Sequence, residues 1–361
     1  MEETTNKSVA INIEKSNVDI PGELEIKGDI NHIKAGIEVN GEGSHVTLNK
    51  GGDIETQNKV PEIIYTNGAN EDNSFEDENK PTEQNIPSKP IHPIYNHTSI
   101  IGSDRYDTAA KVADELGSYD TAVLVNATST MSDGLAASGL AGKEDAAILL
   151  TKKDSIPKVT MDRLKKVKKV YIIGGENAIS TKVANEITAA GVKVERIGGK
   201  TRVETSELVA KKLGNYKKAF VVNGFKGEAD AMSASSVAAR YEAPILLTNG
   251  KTSTHAKKAG VEYYVIGGKN VVDKSIATKY DAEVLAGSDR YATNREVIAE
   301  FYSGSDKLYI ANGDKLVDAL TASPLAKNNG IVLVNKKSDK SILKDKHTVQ
   351  VGGMDFEIDF E

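Results

Sequence analysis

The stretch IIGSDRYDTAAKVADEL, residues 100–116, is written nearly twice more, as RIGGKTRVETSELVAKKL from Arg196 and LAGSDRYATNREVIAEFY from Leu285. In each, a glycine is followed three residues later by arginine and three after that by threonine: Gly102/Arg105/Thr108, Gly199/Arg202/Thr205 and Gly287/Arg290/Thr293. The arginines lie 97 and then 88 residues apart. A period that long is a folded unit and not one turn of a solenoid.

The text between the openings repeats too. Thr108 to Leu116 predicts a helix with Ala109, Val112, Ala113 and Leu116 on one face. TAVLVN (121–126) is a short continuous apolar run, as expected of a strand buried on both faces. It corresponds to KAFVVN (218–223) and KLYIAN (307–312). AILLT (147–151) corresponds to PILLT (244–248) and IVLVN (331–335), and VYIIGG (170–175) to YYVIGG (263–268) and VQVGG (349–353). Strands alternating with helices predict a parallel sheet in each copy. Every copy also carries Asp-x-x-x-Ala-Ser-x-x-Ala, from Asp133, Asp230 and Asp318. Its small residues predict a helix pressed close to the sheet. The third copy ends soon after its Gly-Gly, and MDFEIDFE (354–361) is assigned as an edge strand in place of a further helix. This truncation implies copies that close against one another.

The front of the chain differs. Up to residue 65, apolar residues alternate, as in Val9/Ile11/Ile13, Ile37/Val39 and Val46/Leu48, with breaks at Pro21-Gly22, Asn40-Gly41 and Gly51-Gly52. Period two with turn chemistry predicts half-buried strands. A small sandwich and a parallel β-helix both read this way, the uneven strand spacing favouring the β-helix. Residues 66–97 are acidic, then proline-rich, and read as a flexible linker. The expected organisation is therefore a β-rich domain (1–65), the linker (66–97) and three α/β modules (98–195, 196–284 and 285–361).

Composition narrows the function. There is no cysteine, which excludes disulfides, thiolate metal sites and a cysteine nucleophile. Residues 1–97 hold 8 Lys, no Arg and 18 acidic residues, a net −10, whereas the whole chain carries −6. The repeat region is thus only mildly basic, too weak a footprint for nucleic acid. No apolar run is long enough to span a membrane. The start, MEETTNKSV, lacks the apolar core of a secretory signal. It reads as the start of a cytosolic protein, or of a processed or recombinant form beginning at an added methionine.

Taken together, the Gly-x-x-Arg-x-x-Thr opening, the Asn-ended strand, Asp-x-x-x-Ala-Ser, Ile-Leu-Leu-Thr and Ile-Gly-Gly resemble the type 2 cell-wall-binding repeat. That family occurs as three tandem copies in clostridial cell-wall and S-layer-associated proteins. The resemblance covers residues 98–361. It implies three open parallel-sheet modules, Rossmann- or Toprim-like, packed with pseudo-threefold symmetry. It also implies noncovalent attachment of a secreted protein to the wall or S-layer of a Gram-positive bacterium through an anionic secondary polysaccharide, with S-layer proteins as further partners. The second opening departs from the others in having Val203 where they have Tyr106 and Tyr291.

The resemblance places polymer binding at Ile148, Leu149, Leu150, at Ile245, Leu246, Leu247 and, in altered form, at Val332, Leu333, Val334. Aliphatic side chains do not recognise a phosphate, and core packing accounts for the same residues. Lys152, Lys153, Lys251, Lys336 and Lys337 follow directly, at the carboxyl ends of equivalent strands, where open α/β sheets take ligands. We expect the triplets to position this edge and the lysines to touch the polymer, aided by backbone N–H groups at nearby helix N-termini. Arg105, Arg202 and Arg290 recur with Asp133, Asp230 and Asp318, and are expected to form bidentate structural pairs that fix each helix on its sheet or one module on the next. GGKT (198–201) imitates the end of a P-loop but has Val194 where that motif needs glycine, so no nucleotide or other cofactor is expected. None of the six histidines recurs between copies. We read the chain as a non-enzyme. A wall-anchored carbohydrate-active enzyme with its site in residues 1–65, and a purely structural S-layer component, are the alternatives.

Overall fold

A computed structural model describes residues 95–127, 131 and 133–358, and the backbone of seven short strands before residue 67. It divides into two compact units, Met1–Pro90 and Ile91–Glu361.

In the first unit the strands are β1 (Val9–Glu14), β2 (Asn17–Ile20), β3 (Leu24–Glu25), β4 (Ala35–Asn40), β5 (His45–Leu48), β6 (Ile54–Glu55) and β7 (Ile63–Thr66). Every pairing is parallel. Ile11 lies beside Ile37 and Ile37 beside Ile63, while Val18 lies beside Val46 and Leu24 beside Ile54. The chain thus returns repeatedly to stack on its previous pass. The turns of residues 1–65, and most of the expected linker, lie outside the described residues.

The second unit begins with β8 (His97–Ile100) and the first opening helix, α1 (Arg105–Glu115). Then come β9 (Thr121–Asn126), a short 3-10 turn, α2 (Ser138–Lys143), β10 (Ala147–Thr151), α3 (Lys158–Leu164), β11 (Lys169–Ile173), α4 (Thr181–Ala189) and β12 (Lys193–Ile197). The second copy gives α5 (Arg202–Leu213), β13 (Lys218–Asn223), α6 (Glu228–Ser233), α7 (Ser235–Arg240), β14 (Ile245–Thr248), β15 (Glu262–Ile266), α8 (Lys274–Tyr280) and β16 (Glu283–Leu285). The third gives α9 (Arg290–Tyr302), β17 (Lys307–Asn312), α10 (Val317–Ala322), β18 (Ile331–Val334) and β19 (His347–Val351).

These strands form three four-stranded parallel sheets, ordered β10-β9-β11-β12, β14-β13-β15-β16 and β18-β17-β19-β8. The continuous apolar runs follow from burial on both faces. In the first sheet Val123, Val125, Ile148 and Leu150 join a core that extends through all three copies. Their neighbours Leu124, Leu149, Val170 and Ile172 face a separate cluster closed by Leu164, Val183 and Ile187.

The fourth strand of each sheet leads directly into a Gly-x-x-Arg opening. In the third sheet that strand is β8, from the other end of the unit. Thr98 pairs with Val349 and Ile100 with Val351. The Gly352 N–H donates to the Ile100 carbonyl at 3.0 Å, just as Gly174 donates to Ile197 and Gly267 to Leu285. The edge assigned to residues 354–361 is therefore held by His97–Ile100, and residues 354–358 form no strand. A free parallel edge is filled by whichever segment reaches it, and β8 arrives already aligned with its opening helix.

The small residues of Asp-x-x-x-Ala-Ser-x-x-Ala do more than seat a helix on its own sheet. α2 of the first copy crosses α7 of the second so closely that a Cβ at Gly142 would fall 2.0 Å from the Ala239 carbonyl oxygen, and one at Gly139 1.9 Å from that of Ala243. Ser138 and Ser323, at the same position of the first and third copies, share a hydrogen bond of 2.9 Å between buried hydroxyls. Only side chains this small let three helices meet at one centre.

Candidate functional site

The opening phrase is a helix start. The threonine hydroxyl accepts the glycine N–H at 3.0 Å (Thr108, Gly102), 3.1 Å (Thr205, Gly199) and 3.0 Å (Thr293, Gly287). The glycine is needed because a Cβ at Gly102, Gly199 or Gly287 would lie within 2.4 Å of the helix that follows. The helix N-termini are already occupied. The Asp104 carboxylate accepts from Tyr106 and Asp107, Asp289 from Tyr291 and Ala292, and Thr201 from Glu204. The N–H groups that these caps take are not open to an anion, whereas α3, which follows Lys152 and Lys153, has no side-chain cap. Thr201, the last residue of the P-loop imitation, serves here as a cap.

The arginines are not paired with the aspartates of their own copies. Arg105 donates to the Ala127 carbonyl, Arg202 to that of Gly224 and Arg290 to that of Gly313 at 3.1 Å. The acceptor is in each case the residue after the Asn-ended strand. That asparagine is itself a tether: Asn126 Nδ2 donates to the Ala178 carbonyl at 2.6 Å, and Asn223 Nδ2 to that of Val271 at 2.7 Å. No ion pair within 4 Å joins a repeated arginine to a repeated aspartate among the described residues. The expected bidentate pairs are absent because one strand-end carbonyl absorbs the guanidinium and the facing carboxylate comes from the preceding copy.

Asp133 and Arg202 line one cleft of about 960 Å³. Asp230 and Arg290 line a second of about 600 Å³, and Asp318 lies within the field of Arg105. Each aspartate abuts the first glycine of an Ile-Gly-Gly or Val-Gly-Gly turn. Gly174, Gly267 and Gly352 take φ of 116°, 120° and 82°. A Cβ there would sit 2.9, 2.7 and 2.0 Å from a carboxylate oxygen. Glycine is thus demanded twice, by its backbone conformation and by its neighbour. Burial pushes the carboxyls of Asp230 and Asp318 up to about 6, against the opposing pull of the Arg290 and Arg105 charges.

These clefts lie at the carboxyl ends of adjacent central strands, where the sheet order reverses direction, the usual ligand position in such sheets. Of the two arrangements expected for the arginines and aspartates, within a copy or from one copy to the next, the clefts bring them together between copies. The signal for that arrangement lies in the residues before each Gly opening, HTSI, KVERI and EVL, each of which supplies the fourth strand of a sheet.

The aliphatic triplets are at most 2% exposed: Ile148, Leu149 and Leu150, Ile245, Leu246 and Leu247, and Val332, Leu333 and Val334. They form β10, β14 and β18, with no surface for a polymer to touch. Lys152, Lys153, Lys251, Lys336 and Lys337 are all exposed, immediately beyond those strands. Lys152 Nζ lies 6.0 Å from the centre of the Tyr106 ring on the opening helix. His255 is buried and its Nε2 lies 2.8 Å from the Leu247 carbonyl; burial lowers its pKa.

A family model described as cell wall binding domain 2 matches residues 99–184, 196–277 and 284–355. The chain belongs to that family, as three tandem repeats. N-acetylmuramoyl-L-alanine amidase LytC of Bacillus subtilis is 31% identical over 246 residues, 65% of this chain and 49% of that protein. The amidase enhancer of the same organism is 34% identical over 260 residues, 68% of this chain and 36% of that one. Among solved structures, Cwp8 from Clostridium difficile superposes with a TM-score of 0.67 at 37% identity, covering 72% of this chain and 50% of that one. Cwp6 gives 0.65 at 30%, covering 72% and 46%. The chain spans half or less of the length of these relatives. Membership places it among proteins associated with the cell wall. No helix among the described residues is long and apolar enough to cross a membrane.

Proposed function

We propose that the repeat unit holds this protein noncovalently on an anionic secondary polysaccharide of a Gram-positive wall, outside the cell, within or beside the S-layer. One observation carries the reading: exposed lysines stand just past the same buried strand in all three copies. The triplets fix the position of each edge, and the lysines meet the polymer. A single exposed lysine contributes under about 1 kcal/mol. Three linked edges on one repetitive polymer gain roughly 10²–10⁴ in apparent affinity when they engage together. We read the chain as a binding protein and not an enzyme; residues 1–65 are its individual part. The competing reading is a wall-anchored carbohydrate-active enzyme with its site in residues 1–65, and release of soluble glycan fragments from walls by the full chain would establish it.

The test is sedimentation with protein-stripped walls of Clostridium difficile. Binding falls as salt rises, because exposed charges are screened over about 10 Å at 0.1 M. Replacing Lys152, Lys153, Lys251, Lys336 and Lys337 with glutamine lowers it at least tenfold. Salt-independent binding that survives these substitutions, or that persists on walls stripped of anionic polymer, rejects the reading.

A further inference from the structure

The clefts between copies contain a group that lysine-edge binding leaves unused. Asp230 is 6% exposed and Asp318 8%, and neither carboxylate accepts a hydrogen bond from any described residue. The Asp230 carboxylate lines the cleft, where a donor from outside the protein can reach it. The Asp230 cleft is also lined by Phe225, Gly268, Gly287, Arg290 and Asp314. Across it, Arg290 makes one hydrogen bond, to the Gly313 carbonyl, among the described residues. Its remaining N–H groups are available.

The lining limits the occupant. A metal ion needs several oxygen or nitrogen ligands converging on one point, and no such group forms among the described residues. A simple anion is opposed by Asp230 and finds the helix N–H groups already taken by Asp289. What fits a donor-starved carboxylate beside a guanidinium is a ligand that offers neutral donors on one side and an acceptor on the other. Sugar hydroxyls are such donors, and the ring oxygen or a phosphate substituent is such an acceptor. Phe225 adds an apolar plate. It is 55% exposed, and Arg202 stacks 4.8 Å from its ring centre. An exposed aromatic at the mouth of a polar cleft suits the C–H face of a pyranose.

We propose that each cleft between successive copies is a glycan subsite, in which hydroxyls of one sugar residue donate to the aspartate of one copy and the arginine of the next copy donates to an acceptor on the same sugar. The subsites rest on the wall-polymer reading and deepen it: lysine edges gather the anionic chain, and the clefts read its sugar units. Because each subsite spans two copies, glycan binding also ties the copies together.

The experiment compares three full-length variants with the wild type by sedimentation on the same Clostridium difficile walls: Asp230→Asn with Asp318→Asn, Phe225→Ala, and the five lysines to glutamine. The asparagine variant loses tenfold or more in apparent affinity, melts no lower than wild type at pH 8, and keeps the salt dependence of its residual binding. Phe225→Ala, at an exposed position that leaves the fold intact, loses about threefold or more, since one of three linked subsites is impaired. A folded asparagine variant binding within twofold of wild type overturns the subsites. If that variant does not fold, unchanged binding by Phe225→Ala overturns them. When the lysine variant loses binding and the other two do not, the subsites alone fail. Lysine variants and salt without effect reject the parent reading instead, whatever the aspartates do.

Discussion

Replacing Asp230 and Asp318 with asparagine changes how stability depends on pH, and the structure sets the size of the change. Burial raises both carboxyls from 3.8 to about 6. A folded-state value above the unfolded one means that the native protein holds more protons between those limits. The resulting stabilisation is fully present below pH 3.8 and is lost as pH rises through about 6. At about 1.4 kcal/mol per pH unit, each site gives up about 3 kcal/mol between pH 4 and pH 8. Asparagine does not titrate, so the double variant lacks this loss. Its stability relative to wild type climbs by about 3–6 kcal/mol over that range and levels off above pH 7. Urea denaturation followed by far-ultraviolet circular dichroism at pH 4, 5, 6, 7 and 8 reads the difference directly. His255 acts in the opposite sense: its lowered pKa gives stability present above about 6.5 and lost as pH falls. Both proteins share that term, and it cancels in the comparison. Parallel pH profiles for variant and wild type would refute the reasoning, since the carboxylates would then be solvated or bonded in the native state.

Other expectations test the packing and the proposed attachment. Gly142→Ala places a methyl group 2.0 Å from the Ala239 carbonyl oxygen, pushing α2 off α7; a net loss of about 1–3 kcal/mol is expected in urea denaturation. Deleting residues 1–101 removes β8 and leaves β19 an open edge. That truncation melts lower in calorimetry and self-associates in light scattering, whereas deletion of residues 1–94, which keeps the strand, does neither to the repeat unit. The five-lysine glutamine variant loses wall binding at least tenfold at low salt with an unchanged melting temperature, because those side chains are exposed.

Much of the repeat architecture was legible because its signals are local. TAVLVN and AILLT are apolar at every residue, and such runs are strands buried on two faces whatever lies around them. Gly102, Gly199 and Gly287 announced helix starts, with each threonine the fourth residue of its helix. The edge assigned to MDFEIDFE went to HTSI instead. That segment is short and polar, and its partner His347–Val351 lies at the far end of the unit. The recurring arginines and aspartates were visible as a set, but a pairing within a copy and one between copies read alike; the fold decides for the second, with Arg290 facing Asp230 and Arg105 facing Asp318 across copy boundaries.

The sequence by itself therefore determined what each copy is: a four-stranded parallel sheet with its helices, its tight glycine positions and its lysines at one strand end. Those features depend on the periodicity of apolar residues and on backbone conformations that neighbouring residues dictate. Only the tertiary structure decided how the copies complete one another. The first strand of the unit closes the last sheet, small-residue helices cross at the centre, and a carboxylate and a guanidinium from successive copies face across each cleft. Parallel pairing and burial are long-range conditions, met only when all three sheets are in place.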